Sequence, residues 1–249
     1  MPATPAPAPG DPVAAPRTSR ARAREAMTAD IKAIARRQLA EHGPDGLNLR
    51  AVARELGVVS SAVYRYFASR DELLTALIID AYDAVGEAAE QAATEEATDV
   101  RDRVGRIARA IRTWAVANPR DYALVYGSPV PGYQAPEDTI SPALRVTGAF
   151  VAAVVEGLAA GEIDPAPWPP SATPVPGPVA AEYDAIRTGI GADVPDEVLS
   201  RALLVWTALF GHLSYTLFGH LHRGITDYDA FFEHQLDRWC DLLVGRPTR

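Results

Sequence analysis

Apolar positions along this chain recur at helical spacing, and no segment alternates convincingly with the period of two that a half-buried strand requires. From Thr28, residues Met27, Ile31, Ile34 and Gln38/Leu39 fall near one face of a first helix, which the stretch HGPDG at 42–46 stops. Asn48 is suited to cap a short second helix whose Leu49, Val52, Ala53 and Leu56 follow i, i+3, i+4, i+7 spacing; Gly57, the residue a left-handed turn favours, ends it. A third helix is predicted over 60–66, with Val63 and Phe67 kept for a core. Ser69 then caps a long fourth helix with Leu73, Leu74, Leu77, Ile78, Ala81 and Val85 inward. Further helices are predicted near 99–117, 120–126, 142–161, 179–190, 196–221 and 227–243. Two proline-rich stretches break the pattern, GSPVPGYQAPEDTISP at 127–142 and DPAPWPPSATPVPGP at 164–178. The fold class is all-α.

Composition narrows the setting. With 249 residues and 48% hydrophobic side chains, the chain can bury a substantial core. The lone Cys240 rules out an internal disulfide and suits a reducing cytosol. Residues 1–16 hold six prolines and no basic group, so they are expected to form a disordered tail rather than a signal peptide. Read by its apolar runs the sequence offers none of the roughly 18 to 20 residues a membrane span needs, so no membrane partner and a cytoplasmic location are expected. The formal net charge of -8 is unevenly spread: residues 17–72 carry 11 Lys+Arg against 7 Asp+Glu, and residues 73–249 carry 13 against 24. One end is therefore suited to a polyanion that the rest repels. The four arginines at 17, 20, 22 and 24 fit either a solvated helix lead-in or an arm on phosphates.

The stretch ELGVVSSAVYRYF, 55–67, gives that basic end a chemistry. A short helix, a glycine turn and a second short helix, supported by a longer one, form a helix-turn-helix, whose second short helix enters the DNA major groove. Val58 and Val63 can pack the turn, leaving Ser60, Ser61, Tyr64 and Arg65 outward. Hydroxyls bond phosphates or base edges, and a guanidinium can grip a guanine edge with two hydrogen bonds. Tyr64 and Tyr66 could instead be half-buried core rings.

Residues 47–79, LNLRAVARELGVVSSAVYRYFASRDELLTALI, resemble the DNA-binding signature of the TetR family of bacterial transcriptional regulators. DYALVYGSPVPGY (121–133) and LFGHLSYTLFGHL (209–221) look like its branch with a WHG-type C-terminal domain. The resemblance implies a ligand-responsive DNA-binding regulator, a repressor acting as a homodimer on a palindromic operator, with no enzymatic activity and no cofactor. It places phosphate and base contacts on Asn48, Arg50, Ser60, Ser61, Tyr64, Arg65, Tyr66 and Arg70. Val59 stands where the family usually has a capping serine or threonine, so Ser60 or Ser61 is left to cap the recognition helix. The implied domains are a tail over 1–21, the DNA-binding domain over 22–70, and a ligand-binding and dimerisation domain over 71–249.

Within that body, Trp114, Tyr122, Tyr126, Phe150, Trp206 and Phe210 are the candidate lining of a pocket for a lipophilic effector, neutral or cationic. The helix over 196–221 is too broadly apolar to face water on one side; with the last helix it supplies Val205, Leu209, Phe232, Leu236 and Trp239 as candidates for an isologous interface. His212, His220, His222 and His234 cluster in sequence, but 220 and 222 point apart and 212 and 220 lie two turns apart, which argues against a metal site. The rival readings are an enzymatic or small-molecule-binding protein using this His- and aromatic-rich body, and an architectural DNA binder without a ligand.

Overall fold

A computed structural model describes residues 19–43, 46–168, 173 and 175–245; the Pro/Ala tail, Arg17 and part of the second proline-rich stretch lie outside them. Ten α-helices and one 3-10 turn make up the regular structure of the described residues, which fall into two compact units divided at Leu73/Leu74.

In the first unit, α1 (Ser19–His42) begins nine residues before the apolar periodicity does. Ser19, Arg20 and Ala21 therefore belong to a helix and not to the tail. Ala, Arg and Glu favour helix without forming an apolar stripe, so periodicity alone passes over such an extension. Asn48 caps α2 (Leu49–Glu55), its Oδ1 accepting from the N–H groups of Arg50 and Ala51. Gly57 takes φ 70°, which lets the N–H groups of Val58 and Gly57 close onto the carbonyls of Ala53 and Arg54 and turns the chain into α3 (Ser60–Tyr64). Ile31, Ile34, Ala35, Leu49, Val52, Val63, Phe67 and Leu73 are buried in this unit. The amide oxygen of buried Gln38 accepts from the Asn48 N–H, tying α1 to the start of α2. At the start of α4 (Arg70–Thr94), Ser69 Oγ accepts from the Glu72 N–H and the Glu72 carboxylate accepts from the Ala68 N–H, a reciprocal cap.

The second unit holds the rest of α4, then α5 (Val100–Ala117), α6 (Pro119–Tyr126), α7 (Ile140–Ala159), α8 (Gly177–Ile190), α9 (Asp196–Leu217) and α10 (Tyr228–Val244). Its core joins Val104, Ile107 and Ile111 of α5 with Val146, Phe150 and Val154 of α7, Val198, Val205, Leu209 and Leu213 of α9, and Phe232, Leu236 and Leu243 of α10. Arg101, Arg109 and Arg112 along α5 pair with Asp241, Glu233 and Asp229 along α10, a ladder beside the apolar seam. α9 stops at Leu217, four residues before the apolar pattern does, because the N–H groups of Gly219 and His220 fold back onto the carbonyls of Thr216 and Tyr215.

One expectation is corrected here. The segment Glu137–Ala159 is long and apolar enough to cross a membrane by length and composition alone. Arg145 and Glu156 break its apolar run in the sequence, which hid the property. In the fold α7 buries Val146, Phe150, Ala153 and Val154 in the core, and Arg145 pairs with Asp83 and Glu90 of α4.

Candidate DNA-contacting face and ligand cavity

The side chains expected to meet DNA are presented by α2, α3 and the start of α4. Arg50, Ser61, Tyr64 and Arg65 are exposed, Ser60, Tyr66 and Arg70 are partly covered, and Val63 alone of α3 is fully buried. Val63 thus anchors the helix by one side and leaves the opposite side open. The helix is shorter than 60–66: it ends at Tyr64, after which the N–H groups of Arg65 and Tyr66 bond to the carbonyls of Ala62 and Val63. Neither serine caps it. Val59 holds the cap position with φ -69° and ψ 143° and no side-chain bond, while Ser60 and Ser61 are the first two helical residues. Their hydroxyls are consequently not consumed by capping.

Tyr66 is neither a simple core ring nor a freely projecting one. The Arg24 guanidinium lies 5.2 Å from its ring centroid, an arrangement that couples the arginine-rich start of α1 to the end of the recognition segment. Nothing local in the sequence links residues 24 and 66. Arg70 pairs with Asp71 at 3.0 Å.

In the second unit two cavities share Tyr82 and Ala143 as a wall. The smaller, about 350 Å³, is lined by Tyr126, Trp206, Phe210 and Thr207 among others. The larger, about 490 Å³, lies under the first proline-rich stretch, where Val125, Pro129, Tyr133 and Thr139 meet Ile78, Ile140 and Leu144. Tyr133 is held in place by a 2.8 Å hydrogen bond between its hydroxyl and that of Thr75.

Three of the six expected pocket residues, Tyr126, Trp206 and Phe210, line the smaller cavity. The other three belong to the core. Tyr122 is fully buried, with its hydroxyl donating to the Phe210 carbonyl at 3.0 Å and meeting Ser214 Oγ at 2.9 Å; Trp114 is buried, and buried Phe150 backs Trp206 at 5.1 Å between rings. Sequence reasoning missed Tyr82 and Tyr133. The only available signal was the proline-rich break at 127–142, whose irregular backbone holds open the space that Tyr82 and Tyr133 border.

The expected interface residues need a similar correction. Val205, Leu209, Phe232 and Leu236 are buried within the chain, because α9 and α10 spend those faces on each other and on α5. The apolar residues left outward on α9 are Leu203, Leu204 and Tyr215, with Phe218 at its C-cap. Trp239 remains partly exposed.

His212 stacks on Phe231 with ring centroids 5.1 Å apart and is flanked by Phe232 and Trp239, each at 5.5 Å. Its Nε2 is buried without a hydrogen-bond partner, and burial, reinforced by Arg112, pulls its pKa below the ordinary histidine value. Above about pH 6.5 the group is neutral in both folded and unfolded chains; below it the unfolded chain takes up a proton that the folded one resists. Stability is therefore lost as the pH falls from about 6.5. Melting temperatures of His212→Leu should decline less steeply than those of the parent between about pH 6.5 and 5; parallel curves would remove His212 from the acid response.

Similarity to known proteins agrees with this arrangement. The model for "Bacterial regulatory proteins, tetR family" matches residues 31–77, and that for "Tetracyclin repressor-like, C-terminal domain" matches 104–239, a span that includes both stretches likened to the WHG-type branch. HTH-type transcriptional regulator Rv1816 of Mycobacterium tuberculosis is 44% identical over 220 residues, covering 86% of this chain and 90% of the relative. The solved structure of SCO4313 is 34% identical with a TM-score of 0.72, covering 89% of this chain and 98% of its own. A protein of unknown function from Rhodococcus sp. RHA1 is 25% identical with a TM-score of 0.65, over 88% of this chain and 95% of its own.

Proposed function

Because the chain belongs to the TetR family and is a DNA-binding transcription regulator, we propose that it works as a homodimeric, effector-responsive repressor on a palindromic operator in the cytoplasm. The observation that carries this reading is the face of α3: Ser61, Tyr64 and Arg65 stand exposed opposite buried Val63, on a segment with a formal charge of +4 over residues 17–72. Each copy sets α3 in a major groove. Arg65, Tyr64 and the two serines reach base edges and phosphates, and Asn48, Arg50, Tyr66 and Arg70 hold the backbone and fix register.

The outward stripe of α9 pairs two copies about a two-fold axis, and the cavities receive the effector. Effector binding favours a dimer whose heads no longer match the operator spacing, and operator affinity falls only as far as the effector prefers that state. The chain binds rather than catalyses: in the His-rich region to which the rival reading assigned a site, His212 packs against the rings of Phe231, Phe232 and Trp239.

Selection of genomic fragments by the purified chain at about 150 mM salt, where nonspecific phosphate attraction is weakened, tests the reading directly. A palindromic site upstream of a gene is the expected result, and no enrichment over competitor DNA would overturn it. On the selected operator, Arg65→Ala should cost roughly 1 to 3 kcal/mol and relax preference at one base pair per half-site; unchanged affinity would take Arg65 out of the reading set.

A further inference from the structure

The two cavities also specify what kind of molecule they accept, given the reading of the second unit as an effector-binding body. Among the described residues, no Asp, Glu, Lys, Arg or His lines either one. An anionic ligand would lose its hydration there and find no counter-charge. The larger cavity opens beside Ile140 and Leu144, 55% and 58% exposed, so its rim is apolar as well. The two volumes, about 350 and 490 Å³, fall within the range of about 300 to 1,000 Å³ usual for sites of drug-sized molecules.

The polar groups of the walls are unequal. Thr139 donates to the Pro136 carbonyl at 2.7 Å, Thr207 to the Leu203 carbonyl at 2.9 Å, and the hydroxyls of Tyr133 and Thr75 satisfy each other. Tyr126 differs: its phenol oxygen is buried and has no hydrogen-bond partner, although its ring packs 4.5 Å from Phe210 and 5.1 Å from Tyr122. A buried hydroxyl left unpaired is costly, and a ligand that supplies the partner recovers that cost. Burial also pushes the pKa of this phenol well above its ordinary value, so the group stays protonated and able to donate.

We infer that the effector is a neutral, lipophilic molecule carrying a carbonyl or ether oxygen that accepts a hydrogen bond from Tyr126. This narrows the ligand beyond lipophilic: it excludes carboxylates, and it disfavours quaternary ammonium ions, which the aromatic rings of the smaller cavity can receive but which offer Tyr126 no acceptor.

The test titrates the full chain with four probes of one chain length below their aggregation limits: 2-decanone, decane, decanoate and decyltrimethylammonium. Tryptophan fluorescence gives the signal, since Trp206 lines the smaller cavity. The ketone is expected to bind at least tenfold more tightly than either ion. Tyr126→Phe, which keeps the ring and its packing, is expected to weaken the ketone about tenfold and to leave decane within about a factor of two. Tighter binding of either ion, or a ketone affinity indifferent to Tyr126→Phe, would overturn the inference while leaving the body a binding site. If none of the four binds a chain that still binds its operator, the effector-body reading falls with it.

Discussion

Leu204→Glu is expected to turn the dimer into a monomer and to lower operator affinity by about a hundredfold or more, with helical content unchanged. Leu204 is 55% exposed on α9, on the outward side that also carries Leu203 and Tyr215 and continues to Phe218 at the C-cap, so a glutamate there disturbs no buried contact within the chain. Across an isologous interface every substitution is made twice, and the two new carboxylates approach the same axis. Each is a charge taken from water without a partner, at a cost of roughly 3 to 5 kcal/mol when burial is complete. A monomer then meets the operator through one α3 helix and forfeits the gain of simultaneous engagement, about 10² to 10⁴ for linked modules. Sedimentation and operator titration at equal protein concentration check the two effects together. A Leu204→Glu chain that sediments as a dimer would place the interface elsewhere.

The second large effect is expected at Arg201, inside the body. The residue is 1% exposed, yet it carries a full guanidinium. Nε donates to the Glu197 carbonyl at 3.3 Å, Nη1 to the Leu242 carbonyl at 3.4 Å, and Nη2 to the Asp164 carbonyl, with the Glu197 carboxylate 3.7 Å away. Leu242 belongs to the last turn of α10, where carbonyls lack helical donors and the helix dipole is negative; the Asp164 N–H takes another of them, that of Val244, at 3.0 Å. Arg201 is therefore an internal cap that joins α9, the end of α10 and the chain after α7. Burial lowers its pKa, against the opposing pull of Glu197 and Asp164, which means that desolvation is the larger influence on the charge.

Arg201→Met keeps the length and removes the donors. It should destabilise the protein by about 3 to 5 kcal/mol, because the carbonyls lose their partner and Glu197 loses its cation. A lowered denaturation midpoint with an unchanged slope would report this. Adding Glu197→Gln should recover part of the loss, since the stranded charge is then gone. A loss below about 1 kcal/mol would mean that the carbonyls are satisfied without Arg201.

What the sequence determined by itself is what local chemistry controls. Helical periodicity, the Asn48 cap, the left-handed turn at Gly57 and the Ser69 cap involve residues within a few positions of one another, and all four stand in the structure as the residue types imply. The same locality made the face of α3 legible, since one buried valine in five residues leaves little choice about which side is free. The polar beginning of α1 is one of the two readings its arginines allow, a helix lead-in, and periodicity does not decide for it because helix propensity without an apolar stripe leaves no periodic mark.

The tertiary structure decided which of two apolar faces is spent inside. α9 carries Val198, Val205 and Leu209 on one side and Leu203 and Leu204 on the next; both read as apolar, and only packing against α10 and α5 shows that the first is core. It also decided pairings across long separations: Arg24 over Tyr66, Thr75 with Tyr133, Arg201 with the end of α10, and Tyr82 placed in the wall that two cavities share. A period records that a face is apolar but not what covers it, and a lone aromatic residue has the same composition whether its hydroxyl is satisfied, as at Tyr122, or left open, as at Tyr126.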